Sequence, residues 1–109
     1  MIKIMIYTDS SKHYKGFEIK GHAGYADSGN DIICSAISIL SQNTINSIEK
    51  FTDDDIEYKV YEKIGGLKFK FKNVPCKESE LLMDSMILGI KSIIDEYGEK
   101  FLNLSYKEV

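Results

Sequence analysis

The chain has 109 residues, of which 43% are hydrophobic, 11% aromatic and 28% charged, with 14 basic residues, all lysine, against 17 acidic ones for a net charge of −3. This is the length and make-up of one domain, spanning 1–109, that can bury its own core. No apolar run approaches the roughly 18 residues of a membrane helix, and there is no signal-peptide pattern or low-complexity tract, which argues against a membrane partner, export and disorder.

The first predicted element is a strand over 2–7, where Ile2, Ile4 and Ile6 share one face at period two. The polar cluster 8–13 is a turn. A second strand over 14–20 places Phe17 and Ile19 together, so the two strands read as an antiparallel pair. Residues 21–30, GHAGYADSGN, break the pattern with three glycines and small polar side chains. A long helix follows, capped by Asn30 or Asp31 and ending near Phe51. Ile33, Ala36, Ile37, Leu40, Thr44, Ile48 and Phe51 form its apolar face, while Ser41, Gln42, Asn46, Glu49 and Lys50 face outward.

A hairpin over 56–73 turns at Gly65 and Gly66. It points Leu67, Phe69 and Phe71 inward and Lys68, Lys70 and Lys72 outward. The lysine ladder reads as the solvated face of a sheet, though such a ladder can also meet an anionic partner. A second helix spans about 77–97, with Met83, Met86, Ile87, Ile90, Ile94 and Tyr97 as its stripe and Gly98 as its stop. Residues 101–106 close the chain as a strand. The expected fold is therefore α+β, in the order ββαββαβ, with a mainly antiparallel sheet packed with two long helices in two or three layers.

Without arginine, the chain lacks the guanidinium that reads guanine edges and clamps phosphates, which weighs against sequence-specific nucleic-acid binding. Cys34 and Cys76 are too few for a disulfide scaffold and fit a reducing cytoplasm. Cys76 follows Pro75 with no histidine near it in sequence, and His13 lies in a polar loop exposed to solvent. Two cysteines and two histidines at these positions match no zinc spacing, and neither a phosphate loop nor a dinucleotide fingerprint occurs, so no metal and no cofactor is expected.

Chemistry concentrates in Gly21-His22-Ala23-Gly24-Tyr25-Ala26-Asp27-Ser28-Gly29-Asn30-Asp31-Ile32-Ile33-Cys34-Ser35-Ala36-Ile37-Ser38. A histidine ends a strand, a glycine loop follows, and a cysteine stands in the expected first helical turn. Unpaired N–H groups and the helix dipole there would favour a thiolate and could hold an oxyanion. A neighbouring imidazole could take the thiol proton. The residues alone leave a second reading open, with Cys34 as a small buried hydrophobe between apolar neighbours. Asp31 fits a helix cap, an orienter of the imidazole, or both. Ser38, one turn beyond Cys34, fits a group near the thiol or a serine bonding back to the preceding turn.

The same stretch resembles the signature of the ribosomal-processing cysteine proteases, the Prp family: Gly-His-Ala, a short glycine-containing loop, Gly-x-Asp-hydrophobic-hydrophobic-Cys, then small residues and a serine. The resemblance extends over essentially the whole chain. It implies a small cytoplasmic endopeptidase that removes the N-terminal extension of a large-subunit ribosomal protein, cutting after a pair of aromatic residues. By the same resemblance His22 is the base and Cys34 the nucleophile, the enzyme is a homodimer, and a mobile loop from Ala23 to Asn30 closes over the bound peptide. Asn30 stands where the family often has Glu or Lys, and Ser35 where Ala is common. The resemblance matches Asp31 without deciding whether it is catalytic. The competing class is a non-catalytic ribosome-assembly factor that binds the ribosomal protein or rRNA through the lysine ladder.

Overall fold

Period-two alternation organises the sheet. Ile2, Ile4 and Ile6 are buried, and the residues between them turn to the opposite side. They lie in β1 (Ile2–Thr8), which is followed by β2 (Tyr14–Lys20), α1 (Ser28–Phe51), β3 (Ile56–Tyr61), β4 (Gly66–Phe71), α2 (Lys77–Tyr97) and β5 (Leu102–Glu108). The structure is a computed structural model that describes residues 1–21, 28–61 and 65–109, with the side chains of α1 described from Ile32 onward. The element order is the expected ββαββαβ.

The strands lie in the order β3-β4-β2-β1-β5. The β1–β2, β2–β4 and β3–β4 pairs are antiparallel, whereas β5 runs parallel to β1. One face of the sheet carries Ile2, Ile4, Ile6, Phe17, Leu67 and Phe69 into a single core with Ile33, Ile37 and Ile48 of α1 and Met83, Met86 and Ile90 of α2. Both helices cover that face, which gives two layers. Burying each large apolar side chain there contributes roughly 1.5–3 kcal/mol. Phe17 and Phe69 face each other across β2–β4 with ring centroids 5.1 Å apart, and Phe71 meets Phe69 edge-on at 4.9 Å. Beside this stack a Cβ on Gly16 would stand 2.2 Å from the Phe69 carbonyl oxygen, so only glycine allows the two strands to approach.

The helices differ from the sequence reading in four respects. α1 begins at Ser28, so Ser28, Gly29 and Asn30 belong to the helix rather than to the preceding loop, and Asn30 and Asp31 stand inside it rather than at its cap. Ser41 is buried, not outward-facing, because its hydroxyl donates back to the Ile37 carbonyl at 2.8 Å and leaves no unpaired polar atom on the core side. Ile45 joins the core in the stripe's place for Phe51, which is 73% exposed because it ends the helix one turn beyond the buried Ile48. Tyr97 is likewise exposed at the last position of α2. α2 itself occupies the expected range and ends where the Gly98 N–H donates to the Ile94 carbonyl.

Candidate active site

Cys34 lies six residues into α1, in its second turn. It is half-buried, packs against the core and is not in a disulfide. Its side chain lines a cavity of about 180 Å³. Ile37, Ser38 and Gln42 continue the α1 wall, Ile19 in β2 and Gly21 just past its end contribute next, and Val60 of β3 and Leu67 of β4 complete the lining. The walls are mainly apolar, and the exposed Ser38 and the buried Ser41 add hydroxyls to the lining.

A second hollow of about 310 Å³ shares Gln42, Val60 and Leu67 with the first and extends to Ile45, Asn46 and Tyr58. Together they form a cleft along α1 that starts at Cys34. The cleft exists because neither helix reaches over β3. Tyr58 and Val60 occupy the inward row of that strand, opposite Phe69 and Leu67, yet remain 50% and 52% exposed. Sequence alternation identifies the row but carries no signal that the edge strand would be left uncovered.

Gly21 takes φ +81 at the end of β2, and a Cβ there would stand 2.6 Å from the Met1 carbonyl oxygen. This conformation, which glycine adopts without penalty, brings the backbone immediately before His22 to the cavity that Cys34 lines. His22, Ala23, Gly24, Tyr25, Ala26 and Asp27 lie outside the described residues, as do the side chains of Ser28 to Asp31.

The position of Cys34 corrects one electrostatic expectation. With α1 starting at Ser28, the unpaired N–H groups of the helix terminus are those of its first turn, and the Cys34 N–H belongs to the intrahelical ladder. The Cα–Cβ bond of a helical residue tilts toward the N-terminus, so the Cys34 side chain leans over the turn that holds those donors. Ser38, one turn on, lines the same cavity.

The other singled-out residues lie elsewhere. His13 is half-exposed, with Nδ1 3.1 Å from a carboxylate oxygen of Glu80. Cys76 precedes α2, where its N–H donates to Asp54 at 2.9 Å. Among the described residues no three His, Cys, Asp or Glu side chains gather as a metal site would require, and no helix is long and apolar enough to cross a membrane.

Residues 1–101 match the family model described as cysteine protease Prp. The ribosomal processing cysteine protease Prp of Staphylococcus aureus is 23% identical over 107 residues, covering 98% of this chain and 100% of that protein. The Bacillus subtilis protein of the same name is 25% identical over 103 residues, covering 91% and 92%. The crystal structure of the essential S. aureus ribosomal processing protease Prp with a covalently linked product peptide has the same fold, with a TM-score of 0.87 at 23% identity over 98% of this chain and 100% of that one.

Proposed function

The chain belongs to the cysteine protease Prp family, and from that premise we propose that it removes the N-terminal extension of a large-subunit ribosomal protein, cutting after a pair of aromatic residues, in the cytoplasm. The observation that carries the reading is the position of Cys34 at the head of a mainly apolar cleft, beside the backbone that leads into His22. An extended peptide with large apolar side chains fits such a cleft, and Val60, Leu67 and Tyr58 offer surface for the aromatic pair.

The chemistry is acyl transfer. His22 holds the proton of the Cys34 thiol while sulfur forms a bond to the scissile carbonyl carbon, and the carbonyl π pair moves onto oxygen. Unpaired N–H groups of the first turn of α1 supply candidate donors to that oxyanion. Collapse breaks the C–N bond, and the leaving amine takes the proton from His22. Water then adds to the thioester, giving its proton to His22. The C–S bond breaks, and the thiol re-forms as the acid leaves. We also propose that Asp31, which stands inside α1 rather than at its cap, orients the imidazole.

The enzyme works as a homodimer in this reading. Leu81 and Leu88 stand seven residues apart on one face of α2, each 68% exposed, and a second copy would cover them. Sedimentation velocity should show a species of twice the 12.4 kDa chain mass, and a purely monomeric boundary would remove the dimer from the proposal.

The test of the activity is incubation of the full chain with the extended ribosomal protein and mass measurement of the products. The expected result is one cut directly after the aromatic pair. Cys34→Ala and His22→Ala should each lower the rate at least about a thousandfold, as loss of a nucleophile or its base does elsewhere. A Cys34→Ala variant that cleaves at the wild-type rate would overturn the mechanism. Binding of the ribosomal protein without cleavage by the wild type would favour the assembly-factor reading.

A further inference from the structure

The sheet face turned away from the helices has a charge opposite in sign to that of the whole chain. Strand register places Lys3, Lys20, Lys59, Lys68, Lys70 and Lys107 on it, with Glu18 and Glu57 as the acids among them, in a protein of net charge −3. Both acids are already engaged: Glu18 lies 3.6 Å from Lys20 and accepts a hydrogen bond from the Tyr7 hydroxyl, and Glu57 lies 3.6 Å from Lys70. Among the described residues, Lys68 has Glu18 opposite it across β2–β4, which leaves Lys3, Lys59 and Lys107 without an acid opposite them in the sheet. Lys59 stands directly opposite Lys68 across β3–β4, and Lys3 opposite Lys20 across β1–β2. Like charges at directly opposite positions destabilise a sheet, a cost that a bound anion removes.

We propose that this open face is a sequence-independent docking surface for the phosphate backbone of single-stranded RNA. Lysine suits that task as a point charge that neutralises phosphate without fixing its geometry, and the absence of arginine removes the usual base reader. A shallow hollow of about 330 Å³ on the face is bordered by Lys59, Lys68, Lys70, Tyr58, Tyr61 and the Lys70-paired Glu57. Lys59 sits 5.1 Å above the Tyr61 ring, and Tyr7 lies on the same face in β1. Aromatic rings set in a lysine field give unpaired bases a surface to stack on, which an RNA strand can use and an acidic peptide cannot. A second copy of the chain cannot meet it face to face, because a face with this excess of one sign repels itself. The choice of RNA over DNA rests on the ribosomal substrate proposed above; the charge argument does not.

The test is a fluorescence-anisotropy titration of a labelled mixed-sequence 16-nucleotide RNA with the full chain, at 50 and 200 mM KCl. Binding that neutralises about four phosphates should weaken about fiftyfold between the two salt concentrations. The triple variant Lys59→Gln, Lys68→Gln, Lys70→Gln should bind at least tenfold more weakly with a shallower salt dependence. A triple of equal charge change away from this face, Lys77→Gln and Lys91→Gln in α2 with Lys100→Gln in the α2–β5 connection, should stay within twofold of wild type. No binding at 50 mM KCl, equal weakening by the two triples, or equal affinity for a labelled polyglutamate peptide would each overturn the proposal. The measurement does not depend on cleavage and is repeated with Cys34→Ala, so failure of the protease reading and failure of this one are told apart.

Discussion

At Gly21 two constraints coincide: a left-handed φ of +81 and a Cβ position 2.6 Å from the Met1 carbonyl oxygen. Gly98, at φ +89, carries the first without the second, since nothing lies within 4 Å of its Cβ position. The pair therefore separates backbone strain from steric clash. Gly98→Ala should cost roughly 1–3 kcal/mol, because φ +89 with ψ 165 is a backbone region open essentially to glycine alone. Gly21→Ala should cost at least about 1 kcal/mol more and also depress cleavage, because the strand end that leads into His22 must shift. Thermal unfolding of the two variants, with peptide cleavage measured alongside, checks this; equal melting temperatures would show that the Met1 contact is irrelevant. A glycine beside a histidine is visible in sequence. Its φ, and the carbonyl it faces, depend on β1 lying alongside and are not encoded locally. Ser41 makes the same point from the other side, since a serine at helical spacing reads as outward until its bond to the Ile37 carbonyl is seen.

The start of α2 shows an element held by a residue far from it in sequence. Cys76 occupies the cap position without a side-chain cap, and Asp54, from the segment between α1 and β3, serves instead. Its carboxylate accepts from the Cys76 N–H and, at 2.5 Å, from the hydroxyl of the fully buried Ser79. Burial raises the Asp54 pKa, but the hydrogen bonds from Ser79 and Cys76 outweigh it and hold the carboxyl below its ordinary 3.8. A group depressed in the folded state adds stability above its unfolded pKa and loses it as pH falls through the folded value. Asp54→Ala should therefore cost about 1–2 kcal/mol at neutral pH, with the gap to wild type narrowing as pH drops below 3.8. Denaturant titrations at pH 7 and pH 3 measure it, and a gap independent of pH would contradict the assignment. The limits of α2 were legible because Pro75 and Gly98 bracket its apolar stripe. The start of α1 was not, because Ser28, Gly29 and Asn30 have turn-forming preferences that the packing of Ile33 and Ile37 on the sheet overrides.

For the whole molecule, the order of elements follows from periodicity, but the neighbour of β1 does not. The β1–β5 ladder joins residues 100 apart, and no local pattern states that the last strand returns to the first, or that it does so in parallel. The ladder is nonetheless central to stability. It runs from Ile2–Leu102 to Thr8–Glu108, buries Leu102 to 1% exposure, and is extended by the Val109 N–H donating to the Thr8 carbonyl at 2.8 Å. The family match ends at residue 101, just before this strand. If the matched residues sufficed, a chain ending at Phe101 would fold. We expect that it does not. Losing Leu102 removes roughly 1.5–3 kcal/mol, and each lost ladder hydrogen bond about 0.5–1.5 kcal/mol more. Together these losses reach the whole stability margin of a typical domain, about 5–15 kcal/mol. β1, until then an interior strand, would also become an exposed edge. The truncated chain should show no cooperative melt by circular dichroism, whereas full-length Leu102→Ala should melt cooperatively and be destabilised by about 2–5 kcal/mol. A sharp transition in the truncated chain would mean that the first four strands and the two helices hold the core without the strand that closes it.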